Sequence, residues 1–342
     1  MGLLGGAMAA GGMALAVYLS GGSAIESVAA QDVVYFRIGG GAPGSTAYGM
    51  AGQLAGTVSN PPGSRQCDGE GACGVEGLLG LAQTTLNPVD SLESLRRGSL
   101  EAAIISGDVA DAALRGTGAF KKSGAMADLR AIANIGAVTL HILVPKESKA
   151  TDVKSLAGKR VAVGLEDSDN AVTARVLLRA AGLPDKKTKF ILGEIPAAAR
   201  ELLTGEVDAL AVVDQMPSSE VAILMATGDY RLLSAEVTAK DVPNYIFAEW
   251  ITDAQYPGVA SVRALAVPTV LAVRADLPGQ IAGGLVRALW HSANPATPGT
   301  ATGSIAPDMS RASVPWHPEA ASAFTELSNS TPAALESPAP TN

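Results

Sequence analysis

Six residues, Gly39-Gly40-Gly41-Ala42-Pro43-Gly44, separate a β-branched and aromatic run at 33–38 from the hydroxyls of Ser45 and Thr46. Two chemistries fit this pattern. The spacing G-x-G-x-x-G, after a strand and before a helix, would seat a pyrophosphate on the helix N-terminus, as in a dinucleotide-binding oxidoreductase. That reading requires an acidic residue at the end of the next strand, about 20 residues on. Here residues 60–65 read Asn-Pro-Pro-Gly-Ser-Arg, which is loop, and Pro43 lacks a backbone donor. The simpler chemistry is a small anion. Glycines let it approach the backbone, and the helix start offers N–H groups and a positive dipole end. A tight turn capped by Ser45, with no ligand, accounts for the same residues.

A second constellation is acidic. Glu166, Asp167 and Asp169 surround Ser168 and Asn170 at a helix start, and Asp214 follows a later apolar run. A solvated, well-capped helix tolerates such charges. Functionally, one of these carboxylates and Asp214 would meet a cationic group of a ligand, such as an α-amino group. The ligand's carboxylate end would rest on residues 41–46. That arrangement favours an amino acid over a dicarboxylic keto acid. Tyr48 would stack on the ligand or pack inward, and Asp108 would cap a helix or add polarity to a cleft. Arg37 and His141 read as structural.

Catalytic constellations are missing. There is no G-x-S-x-G, no H-E-x-x-H and no P-loop, so neither an enzyme nor a cofactor is expected. The only cysteines, Cys67 and Cys73, lie six apart in a Gly-rich stretch, which suits a structural disulfide in an exported protein. A metal site would need four ligands, and His141, His291 and His317 are far apart in sequence.

The elements that must position these residues follow one grammar, used twice. Strand 33–38, helix 45–59, strand 78–83, a helix from Asn87-Pro88 to Gly98 and strand 101–106 make β-α-β-α-β. Strand 160–164, a helix to Ala181, strand 190–192, helix 196–205 and strand 207–213 repeat it. Between them, 129–144 contains two strand-like runs. Strand 267–273 and helix 280–294 follow the second unit, then a short helix after His317. Nearly continuous apolar strands predict parallel sheets covered by helices. Ligand-facing loops then lie beyond the strand carboxyl ends, at 39–46, 83–88, 106–109, 164–171, 193–196 and 213–219. Two such lobes face each other across a cleft.

Composition narrows the class. The 342 residues carry a net charge of -8 and 4% aromatics, so a nucleic-acid partner is not expected. Residues 1–19 are apolar and uncharged, and Val28-Ala29-Ala30 resembles a cleavage site, so 1–30 reads as an export signal although basic residues are missing before Arg37. An uncleaved N-terminal anchor is the alternative. After residue 20 no uncharged apolar run approaches the ~20 residues of a membrane span.

Several stretches resemble the TAXI family of extracytoplasmic solute receptors, the binding proteins of one class of TRAP transporters. They are IGGGAPGSTAYGMAGQLA at 38–55, PPGSRQCDGEGACGVEGLLGLAQTT at 61–85, SGDVADAALRGTGAF at 106–120, SLAGKRVAVG at 155–164, VTARVLLRAAGL at 172–183 and VPTVLAVRADLP at 267–278. The resemblance implies a type II periplasmic-binding-protein-like α/β fold with a hinge. Residues 31–139 and 265–327 would form lobe 1, 140–264 lobe 2, and 328–342 a flexible tail. It implies a periplasmic receptor for a small organic anion or amino acid, of the glutamate or 2-oxoglutarate kind, delivered to a TRAP membrane permease. A stand-alone periplasmic sensor module is the alternative.

Carried over, the family's loop G-T-G-G-T-G-G-T-Y-Y matches at Gly39, Gly41, Gly44, Thr46 and Tyr48, with Pro43 at the other hydroxyl position. After Thr85, the family's N-G-S-V is Leu86-Asn87-Pro88-Val89, and its Q-S-D-V is Ser106-Gly107-Asp108-Val109. P-P-G-S-G-T becomes the more acidic Leu165-Glu166-Asp167-Ser168-Asp169-Asn170, and A-G-V-P-N becomes Asp214-Gln215-Met216-Pro217-Ser218. The implied ligand set is therefore Gly41, Ser45, Thr46, Tyr48, Thr85, Asn87, Ser106, Asp108, Ser168, Asn170, Asp214, Met216 and Pro217. The departures concentrate at the cleft.

Overall fold

The computed structural model describes residues 32–67, 73–291, 294 and 309–330. The expected export signal at 1–30 and the tail beyond Ser330 lie outside the described residues. In the first half, β1 (Val34–Gly39) ends at the glycine run, and Ser45 caps α1 (Thr46–Val58) by accepting from the Tyr48 N–H. The short β2 (Ser59–Asn60) and β3 (Val75–Glu76) pair on either side of the cysteine loop. Then come β4 (Leu78–Gln83), α2 (Pro88–Arg96) capped by Asn87, β5 (Ala102–Ser106) and α3 (Gly107–Arg115).

The chain leaves this half on β6 (Leu129–Pro145). The second half repeats the order with β7 (Arg160–Ala162), α4 (Asp169–Ala180), β8 (Lys189–Ile191), α5 (Ile195–Thr204) and β9 (Ala209–Asp214). Next come α6 (Ser219–Ala226), β10 (Tyr230–Leu232) and β11 (Phe247–Ile251). The return strand β12 (Val262–Arg274) leads to α7 (Gly279–Leu289) and α8 (Pro318–Ser330). Helix α7 stops five residues before the sequence-based limit, and 328–330 form the last turn of α8 rather than a tail.

The sheet order is β4-β1-β5-β12-β6-β9-β7-β8. Each half therefore has its first strand in the middle, its second outside and its third inside. The result is the two-lobed, periplasmic-binding-protein-like α/β architecture expected from the sequence, with two corrections. The sheet is mixed: β12 runs antiparallel to β5 and β6, and β6 antiparallel to β9. The two strand-like runs at 129–144 are also one strand of 17 residues. Both differences have one cause. The chain crosses on β6 and returns on β12, so these strands oppose each other, and apolar runs do not encode strand direction. β6 pairs with β9 from Thr139 onward, whereas β12 pairs with β5 from Thr269.

The repeat extends to single side chains. Arg37 donates its backbone N–H (2.8 Å) and Nε (2.9 Å) to Glu101 Oε2, and its guanidinium reaches the Gly98 carbonyl. Arg160 does the same to Asp208 Oδ2, at 2.7 and 3.0 Å, and reaches the Gly205 carbonyl. Both clamps tie the start of a third strand to a first strand. Arg37 is structural, as its sequence context suggested. Each half has its own buried core, around Phe36, Leu54, Leu271 and Phe324 in the first and Leu140, Val161, Leu177 and Leu265 in the second. No helix among the described residues is long and apolar enough to cross a membrane.

Candidate functional site

A cleft of about 690 Å³ lies between the halves. This size is usual for small-molecule sites. Ser45, Thr46, Asn87 and Ser106 line it from the first half, and Ser168, Asn170 and Asp214 from the second. Gly41, Tyr48, Thr85, Asp108, Met216 and Pro217 are not on its wall.

The glycine loop is held by its own neighbours. The Gly41 N–H donates to Thr85 Oγ1 (2.9 Å), and Thr85 Oγ1 pairs with Ser91 Oγ (2.6 Å). Ser45 Oγ donates to the Gly40 carbonyl (3.1 Å) while capping α1. Across the cleft, Asn170 stitches β7 to β9. Its amide donates to the Val163 and Ala211 carbonyls and its oxygen accepts from the Val213 N–H (2.6 Å). Ser168 caps α4 and Asn87 caps α2. Met216 packs toward the second-half core, Pro217 is exposed, and Tyr48 is half-buried.

Several polar contacts join the halves, among them the Tyr245 hydroxyl donating to Asp111 Oδ2 at 2.9 Å. Thr46 Oγ1 donates to Asp214 Oδ1 at 2.8 Å, and Ser106 Oγ pairs with Thr173 Oγ1 at 3.0 Å. Thr173 Oγ1 also donates to Asp108 Oδ1 at 3.2 Å. Thr46→Val removes a hydrogen bond to a carboxylate, worth about 1.5 kcal/mol. That corresponds to a roughly tenfold shift toward the open form. Small-angle scattering of the ligand-free variant is expected to show a larger radius of gyration; an unchanged value would remove Thr46 from the closure contact.

The electrostatics are one-sided. Glu166, Asp167, Asp169, Asp214 and Glu220 line the cleft, and no lysine, arginine or histidine does so among the described residues. Burial, assisted by the Asp108 charge, pushes the Asp169 carboxyl up to about 6. Burial also raises Asp108, and burial with the Asp214 charge raises Glu220. Asp108 is 5% exposed, and its Oδ2 has no hydrogen-bond partner among the described residues.

Several wall residues escaped the sequence reading. Thr173 sits in the second turn of α4, where only its register against α3 brings it to Ser106. Glu220 lay in view, two residues after the Ser218 cap. Leu86 and Leu165 are exposed (84% and 54%) at the mouth, one from each half. Apolar residues in loops beyond strand ends were the available signal.

His141 is fully buried in a chain that sets the Asp214–Ser218 loop. Its Nδ1 lies 3.0 Å from the Thr139 carbonyl, so Nδ1 carries the proton, and Nε2 accepts from the Tyr256 hydroxyl (2.9 Å). That hydroxyl accepts in turn from the Ser218 N–H (2.7 Å). Burial pushes His141 down to about 4. Tyr256→Phe leaves two buried groups without partners and is expected to cost about 2 kcal/mol, read as a lower Tm. A Tm within a degree of wild type would show that water replaces the hydroxyl.

Cys67 and Cys73 form the expected disulfide. The fold also brings in His291, whose Nε2 is 3.6 Å from Cys67 Sγ, a neighbour 224 positions away. With both sulfurs in the disulfide, no thiolate is present to ligate a metal.

Among solved structures, the chain is similar to XAC2383 from Xanthomonas citri, determined bound to ATP (14% identity, 86% of this chain and 96% of that one, TM-score 0.47). It is also similar to the periplasmic sulfonate-binding protein SsuA from Methylobacillus flagellatus KT (17%, 75% and 67%, 0.46). A third is the P235GK mutant of ArgBP from T. maritima (13%, 75% and 87%, 0.41). A family match covers residues 38–327, which takes in both halves and every wall residue of the cleft: the chain belongs to the NMT1-like family.

Proposed function

We propose that this chain is an extracytoplasmic solute-binding protein that captures a small amine-bearing solute, of the amino-acid kind, between its halves and delivers it to a membrane permease. The observation that carries this reading is the interlobe cleft. It is walled by hydroxyls from both halves and by carboxylates from the second, and bridged by Thr46–Asp214 and Ser106–Thr173. A ligand touching both walls binds the closed form better and shifts the population toward it. In this reading, residues 31–139 with 265–327 form one lobe and 140–264 the other, hinged on β6 and β12. Residues 1–30 direct export to the periplasm.

The TAXI-like stretches support a receptor for a TRAP-type permease. The wall chemistry favours an amino group over the dicarboxylic keto acids that this resemblance would imply. The dinucleotide alternative is disfavoured because β4 ends at Gln83 without a carboxylate.

The test is uptake. Cells expressing the chain and its permease are expected to accumulate the solute that raises the protein's Tm, and to stop when this chain is deleted. Uptake unaffected by the deletion would remove the transport role and favour a sensor. A Tm raised by NAD alone would restore the oxidoreductase reading.

A further inference from the structure

We infer that the cleft takes a solute of net positive charge, an alkyl diamine or a basic amino acid; this rests on the receptor reading above. The first ground is charge balance. Six helices, α1 to α6, begin at the cleft wall, and each N-terminus carries about +0.5 charge, roughly +3 in all. The five carboxylates of the wall carry up to −5, so the acids prevail, and no basic side chain offsets them among the described residues.

The second ground is that the anion cradle suggested by the sequence is already in use in part. The N–H groups of Gly40, Gly41 and Ser45 donate to Gln83, Thr85 and Ala42. Ser45 and Ser168 are committed as caps. A ligand carboxylate would find these donors taken and acids facing it.

The third ground is Asp108. It lies behind the wall residues Ser106 and Thr173, bonded to Thr173, with one carboxylate oxygen buried and unpartnered. A buried carboxylate without a counter-charge is unfavourable. A ligand ammonium beside Asp169 supplies that charge. Leu86 and Leu165 offer apolar surface at the mouth to an alkyl chain.

The test is calorimetry on the full-length chain at pH 7.5 with putrescine, L-lysine, L-alanine, L-glutamate, 2-oxoglutarate, ethanesulfonate and calcium chloride. Putrescine or lysine is expected to bind at least 100-fold tighter than glutamate, and Asp169→Asn and Asp214→Asn are each expected to weaken it at least tenfold. Both variants are isosteric. Asp214→Asn keeps an acceptor for Thr46, so it reads charge even if the other variant misfolds. Binding of glutamate, 2-oxoglutarate or ethanesulfonate without the cations would overturn this inference and leave the receptor reading standing. Alanine binding as tightly as lysine, or a response to calcium alone, would also overturn it. Silence across the panel would overturn both readings.

Discussion

Asp169→Asn is expected to make the ligand-free protein more stable at pH 8 while impairing its cleft. In the folded chain the Asp169 carboxyl is raised from 3.8 to about 6 by burial and by Asp108. Its folded value lies above its unfolded one, so protonation favours the fold. The stabilising contribution is fully present below pH 3.8 and is lost as pH rises through about 6. A shift of roughly 2 units corresponds to about 3 kcal/mol at most. Asparagine cannot ionise and escapes this loss. The difference in Tm, variant minus wild type, is therefore expected to grow from near zero at pH 4 to about 5 °C at pH 8. His141 titrates in the opposite sense, its depressed folded value removing stability as pH falls from 6.5 toward about 4. Both proteins share that effect, so it cancels in the difference. Differential scanning calorimetry at pH 4, 6 and 8 makes the comparison. A variant that melts below wild type at pH 8 would show that Asp169 has a counter-charge in the ligand-free state. A residue that costs stability while facing a cleft is what a binding site requires.

The second large effect is expected at Gly40. A Cβ there would lie 2.7 Å from Tyr48 Cα, 2.8 Å from Ala51 Cβ and 2.9 Å from the Ala47 carbonyl oxygen. Two of these atoms are backbone, so helix α1 must move off β1. Gly40→Ala is expected to cost about 3 kcal/mol, the upper end for overpacking. It would also displace Ser45 and Thr46 from the cleft. Gly44 is the control. Its φ is 82° and a Cβ meets nothing within 4 Å, so Gly44→Ala carries only the left-handed penalty of about 1 kcal/mol. Urea denaturation of both variants checks the contrast. Equal losses would mean that backbone conformation, not helix packing, is what the loop needs from its glycines. The crowded position is an x of G-x-G-x-x-G, so packing against α1 accounts for Gly40 without a phosphate.

The doubled β-α-β-α-β order was legible in the sequence because its signals are local. Alternating apolar and capping residues place β1, α1, β4, α2 and β5, and Ser45, Asn87 and Ser168 cap the helices that follow them. The cleft-facing loops were legible because strand carboxyl ends lead into helix starts. The acidic character of 166–169 was plain from composition alone.

Tertiary structure decided the rest, because the remaining questions concern partners distant in sequence. Local apolarity does not tell a parallel strand from an antiparallel one, so the directions of β6 and β12 had to come from pairing. Hydroxyls and amides at the loops were candidates for ligand contact. Whether they face the ligand or the protein depends on which acceptor arrives opposite: Thr85 meets Gly41, Asn170 meets β7 and β9, and Thr46 crosses to Asp214. Thr173 beside Ser106, His141 beneath Tyr256 and His291 beside Cys67 are likewise contacts between segments with no local signal. The sequence determined the elements and the acids they carry. Only the pairing of β7 with β9, and the first half facing them, determined that those acids share a cleft with no basic side chain among the described residues.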